Sequence, residues 1–171
     1  FKVPIFGQVL TQSGHVPVVP GNGYAAYETA LSLLESGHNI GIFPEGAISP
    51  LEGGFHSPCT GAARLALRTG APIIPVGIGL KRERIRLIET EIEGRLEVGT
   101  WYLNGPYAMT VGEPLYLRGD VEDHAYVREA SAYVMQCIVA LARDSALRMS
   151  TDSPDAAYIG LPQMNMLARA Q

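Results

Sequence analysis

The chain has 171 residues, 47% of them apolar and 18% charged, a balance that belongs to a folded domain and excludes a disordered one. Its net charge of −4 excludes a global electrostatic attraction to nucleic acid. The two cysteines, Cys59 and Cys137, lie far apart without metal-ligand spacing, so no metal is expected and a reducing compartment is favoured.

Taken in chain order, residues 6–12 predict a short helix closed by Ser13 and Gly14, and His15 to Val19 a short strand. Residues 24–35 place Ala25, Ala26, Ala30, Leu31, Leu33 and Leu34 on a wide apolar face, which predicts a helix ended by Gly37. Asn39 to Phe43 predict a buried strand, followed by a Gly-, Pro- and Ser-rich loop to about Thr60. Residues 61–69 predict a helix stopped at Gly70, and residues 71–80 a strand buried on both faces, with Pro75 marking an edge or bulge. This alternation predicts an α/β fold with a central, mostly parallel sheet flanked by helices, functional loops lying at the carboxyl ends of its strands.

Beyond residue 84 the pattern changes. Partial period-two alternation over 84–103 predicts strands or a hairpin with one wet face, "AMTVGEPLYL" a further strand, and residues 121–149 a long apolar-faced helix. Residues 1–149 therefore read as one domain and 150–171 as a polar, Pro-bearing tail. The longest run of apolar residues and glycine, 70–80, is too short to span a bilayer and holds two prolines.

One chemical feature stands out: the apolar run "NIGIF" ends in Pro44-Glu45-Gly46, fixing one carboxylate where a strand stops. Two readings are open, a site carboxylate and a loop glutamate that satisfies local N–H groups. No Lys or Arg occurs between Lys2 and Arg64, so an anion bound by this third of the chain would need backbone N–H groups or residues from elsewhere. A second pattern, Gly21-x-Gly23-x-x-Ala26 with Glu45 downstream, imitates a dinucleotide-binding turn, although Pro20 sits awkwardly before its first glycine.

Four segments in order carry a resemblance: "FKVPIFG", "SGHVPVV", "IFPEGAIS" and "TGAARLALRTGAPIIPVGI", with "MTVGEPL" fitting a closing strand. Together they resemble the glycerolipid acyltransferase family typified by lysophosphatidic acid acyltransferases, whose third motif reads Phe-Pro-Glu-Gly-Thr-Arg-Ser. The resemblance implies a glycerol-3-phosphate acyltransferase-like fold and transfer of a fatty acyl group from acyl-CoA or acyl carrier protein, as co-substrate, to a hydroxyl of a lysophospholipid. No other cofactor is implied. Partners would be the thioester donor, the lysolipid and a membrane surface, the protein lying peripherally or monotopically on its cytoplasmic side.

In the family a histidine of a His-x-x-x-x-Asp pair takes the hydroxyl proton. None of His15, His38, His56 and His124 has that partner, and the first aspartate is Asp120, so the pair is expected upstream of Phe1 and this chain as a piece of the enzyme; a non-catalytic relative is the alternative. By resemblance Glu45 orients the acceptor, Gly46 gives the sharp turn beside it, and Pro44 and Ser49 complete the substrate-binding set. Two departures concern that acceptor. Ile48 stands where the family carries Arg, and Val19-Pro20 where it carries Asp-Arg, which puts a phosphate monoester in doubt and favours a less anionic lipid alcohol. Arg64 and Arg68 replace those cations only if their helix aims its first turns at the site.

Other residues have plainer readings. His56 and Cys59 invite a thiol-nucleophile reading without an evident third group. Asp120 and Asp123 beside His124 suit helix capping. "KRERIR", residues 81–86, suits either anionic headgroups or, with the acids that follow, a mixed-charge solvated surface.

Overall fold

A computed structural model of the protein describes residues 12–18, 22–92 and 94–150. The helix expected over 6–12 and the tail expected from 150 fall outside these residues except at Gln12 and Ser150, as do Val19, Pro20 and Gly21.

The three described helices are α1 (Gly23–Glu35), α2 (Gly61–Thr69) and α3 (His124–Ser150). Each ends or begins where its sequence provides the means. Behind α1, the Gly37 N–H donates to Leu34 O at 2.9 Å and the His38 N–H to Leu33 O at 3.0 Å, a paired closure that satisfies two carbonyls left over at a helix end. α2 stops at Gly70, which takes a left-handed conformation. α3 starts at Asp123, whose Oδ1 accepts the N–H groups of Ala125 and Tyr126, both at 3.0 Å; the capping role read for this acid holds.

Among the described residues, four strands form two small antiparallel sheets: β1 (Val76–Leu80) with β4 (Tyr107–Val111), and the hairpin of β2 (Arg86–Ile92) and β3 (Arg95–Trp101). The predicted hairpin is thus present, and among the described residues it packs against no other helix or strand. Pro75 interrupts the ladder as expected: Ile73 pairs with Leu115 and Val76 with Val111, out of step by one residue, with Pro75 buried between them.

The core lies along α2. Leu65 packs with Ala30 and Leu31 of α1, while Ala63 and Ala66 face Leu117 and the α3 residues Val127 and Ala130. α3 then lies across one face of the β1–β4 sheet, and two glycines set how close it comes. A Cβ on Gly77 would meet the backbone N of Ala142 at 2.1 Å, and one on Gly79 that of Ala146 at 2.7 Å. A polar chain running from the surface to the buried Ser145 stitches the same contact. Arg148 donates to the Thr110 hydroxyl, which lies 2.6 Å from the fully buried Ser145 hydroxyl, and Ser145 donates to Gly77 O at 3.0 Å.

The α/β class stands, but no parallel central sheet is seen: both sheets among the described residues are antiparallel. Residues 15–18 and 39–43 form no strand, and Ile42 and Phe43 are exposed. An apolar run expresses a tendency to leave water, whereas a strand also needs a neighbouring backbone to take its N–H and C=O groups; these segments have no such ladder here. β1 also departs from the expectation of burial on both faces. Its glycines take α3 on one side, while Ile78 on the other remains 45% exposed.

Candidate functional site

Residues 43–60 join the exposed end of the apolar run to α2, and their hydrogen bonds define a closed loop. Pro44, which has no N–H to give, contributes its carbonyl to the Cys59 N–H at 2.7 Å, tying the loop's two ends together. The Gly46 N–H donates to Phe43 O at 3.1 Å in a turn that holds Gly46 at φ +66°, a conformation natural to glycine. Inside this closure lies the half-buried Glu45 carboxylate. Oε1 accepts the Ser49 hydroxyl at 2.6 Å, and Oε2 accepts the His56 N–H at 2.8 Å.

Pro44, Glu45, Gly46 and Ser49 are therefore brought together, and His56 joins them through its main chain. Both carboxylate oxygens carry a local donor, the arrangement that the loop-glutamate reading calls for. An ionised carboxylate offers about four acceptor sites, so two remain for a hydroxyl presented from outside. What such a group does chemically is to accept and orient an O–H donor and repel a phosphate. Phe43, 81% exposed, and Ile48, 66% exposed, stand on the same loop with the exposed Leu51 and Phe55.

His56 and Cys59 do not form a nucleophilic pair. The His56 Nε2 lies 3.1 Å from Ile48 O, and because a carbonyl only accepts, that nitrogen holds the proton. The Cys59 thiol is directed at Glu45 O, 4.0 Å away. In α3, burial raises the Cys137 thiol pKa above its ordinary value, which suits a packing role. No group of three or more metal-ligating side chains occurs among the described residues.

The cations are placed informatively. Arg64 turns away to the start of α3, donating to Val121 O at 3.2 Å and contacting His124 Nδ1 at 2.8 Å. Arg82, from the 3-10 turn after β1 (Arg82–Arg84), reaches back to the site loop and donates to Leu51 O at 2.8 Å and Pro50 O at 3.3 Å. Sequence reasoning missed this contact, and no local spacing signals it. Arg84 and Arg86 bond to Asn104 and to the main chain of Glu83 and Ile85. The dinucleotide reading needs parallel strands flanking α1, and none is formed among the described residues.

A family model described as Acyltransferase matches residues 1–79, which include the whole site loop and end inside β1. The resemblance to glycerolipid acyltransferases is borne out over this segment, while "MTVGEPL" lies beyond it. No curated protein and no solved structure matches the chain. No helix among the described residues is long and apolar enough to cross a membrane.

Proposed function

We propose, from the match of residues 1–79 to the Acyltransferase family model, that the protein takes part in moving a fatty acyl group from acyl-CoA or acyl carrier protein to a hydroxyl of a lysophospholipid or related lipid alcohol, at the cytoplasmic surface of a membrane. The observation that carries this reading is the Glu45 carboxylate, fixed by Ser49 and the His56 N–H at the heart of the matched segment, with acceptor sites to spare.

The reaction joins the alcohol oxygen to the thioester carbonyl carbon, breaks the carbon–sulfur bond and passes the hydroxyl proton to a base. Glu45 holds the acceptor by its polar hydrogens, Ser49 and Pro44 set the carboxylate's place, and Gly46 supplies the turn. In the family that base is the histidine of a His-x-x-x-x-Asp pair, and none of His15, His38, His56 and His124 stands in such a pair. The acceptor is less anionic than a lysophosphatidate. Ile48 replaces a family arginine, Arg64 is committed to α3, and a second negative charge beside Glu45 would be repelled.

The test is an activity panel on the full-length protein, crossing acyl-CoA and acyl carrier protein donors with lysophosphatidate, zwitterionic lysophospholipids and long-chain alcohols. Acyl transfer to the uncharged or zwitterionic acceptors, with lysophosphatidate poorest, is the expected outcome. Tight NAD(H) binding without turnover of any thioester would overturn the reading.

A further inference from the structure

We propose that Arg82 is a positioning residue for the acceptor carboxylate: from outside the matched segment it clamps the far side of the site loop and so holds Ser49 on Glu45. This rests on the reading of Glu45 given above.

The geometry runs through consecutive residues. One guanidinium nitrogen of Arg82 donates to both Pro50 O and Leu51 O, and Pro50 O also accepts the Gly53 N–H at 3.1 Å. The turn over residues 50–53 is thereby tied to the segment that follows β1. Pro50 has its φ fixed by its ring, so restraint on its carbonyl passes with little slack to Ser49, whose hydroxyl donates to Glu45 Oε1 at 2.6 Å. The ends of the loop are closed by the Cys59 N–H on Pro44 O, while the His56 N–H donates to Oε2 of the same carboxylate that Ser49 holds, so loosening Ser49 reaches the His56 amide. Arg82 is thus the tie that reaches residues 50–51 from β1's end of the sheet. A charged donor makes a stronger hydrogen bond to a carbonyl than a neutral one, so both contacts gain from the guanidinium charge.

The experiment compares full-length wild type, Arg82→Ala, Arg82→Lys and Glu45→Ala by acyl-transfer kinetics and by amide hydrogen exchange. In Arg82→Ala the acceptor KM is expected to rise about three- to tenfold with the donor KM unchanged, and exchange at the His56 and Gly53 amides to quicken about tenfold while amides of α2 and α3 keep their protection. Arg82→Lys is expected to recover part of both effects. Unchanged His56 exchange in Arg82→Ala would overturn the proposal, and so would a uniform loss of protection across the chain, which would make Arg82 a general element of the fold. Quickened His56 exchange in Arg82→Ala, combined with a Glu45→Ala protein whose acceptor KM is unaltered, would instead sustain the clamp and overturn the acceptor role of Glu45.

Discussion

The hydroxyl of Ser49 donates to Oε1 of Glu45 across 2.6 Å, within a loop whose ends are joined by the Cys59 N–H and the Pro44 carbonyl. A short hydrogen bond to an ionised acceptor fixes the carboxylate's plane, and the plane decides where the remaining lone pairs point. Position, more than charge alone, is what an acceptor-binding acid contributes.

Ser49→Ala keeps the charge of Glu45 and removes that fixation. The full-length protein is expected to show an acceptor KM raised about three- to tenfold with a nearly unchanged donor KM. The thermal midpoint should fall by no more than a few degrees, since a half-exposed hydrogen bond to a charged group is worth about 1–2 kcal/mol. An unchanged acceptor KM would show that the bond serves the loop alone.

Gly46→Ala tests the turn. The added Cβ has to sit at φ +66°, which costs about 1–2 kcal/mol in a non-glycine residue, and it approaches the Cys59 sulfur to 3.1 Å. Denaturant unfolding of Gly46→Ala with and without Cys59→Ala separates the two effects. The cysteine substitution is expected to return only the contact part, leaving the backbone part in place.

Gly77→Ala and Gly61→Ala should behave as opposites. At Gly77 the new methyl would meet the main chain of Leu141 and Ala142 at 2.2 and 2.1 Å, and helix backbone cannot yield as a side-chain end does. α3 must lift from the sheet, with an expected loss above about 3 kcal/mol or failure to fold. At Gly61, the first residue of α2, a Cβ meets nothing within 4 Å. There alanine should be neutral or stabilising by up to about 1 kcal/mol, read from the denaturant midpoint.

What the sequence made legible divides along physical lines. Helices α2 and α3 and the β2–β3 hairpin were readable because their signals are local: a glycine at the end of α2, Asp123 before α3, alternation along β2 and β3. The parallel sheet was expected from apolar runs at 15–19 and 39–43, yet pairing depends on partners that a single run does not encode. The face of β1 was misjudged for a related reason. Glycines 77 and 79 look permissive in sequence, and only the position of α3 shows them to be contact points. Within the site, Pro44, Glu45, Gly46 and Ser49 form one contiguous motif and could be named together. The His56 N–H and Arg82 reach them across the loop, where no periodicity reports distance.

Arg64 does not take the phosphate-ligand role that the sequence held open for it, as its contacts at the start of α3 show. As a replacement phosphate ligand it would face the site loop, and its loss would weaken binding of an anionic acceptor. Its guanidinium instead spans Thr60, Val121 O and His124 Nδ1, joining α2 to the start of α3. Arg64→Ala in the full-length protein is therefore expected to lower stability by about 1–2 kcal/mol, a few degrees in thermal midpoint, with acceptor KM unchanged for both lysophosphatidate and zwitterionic lysolipids. His124→Ala should remove part of the same contact, so the double variant should fall short of the sum of the single effects. A selective rise in the lysophosphatidate KM would return Arg64 to the acceptor site and make a phosphate-bearing substrate the better reading.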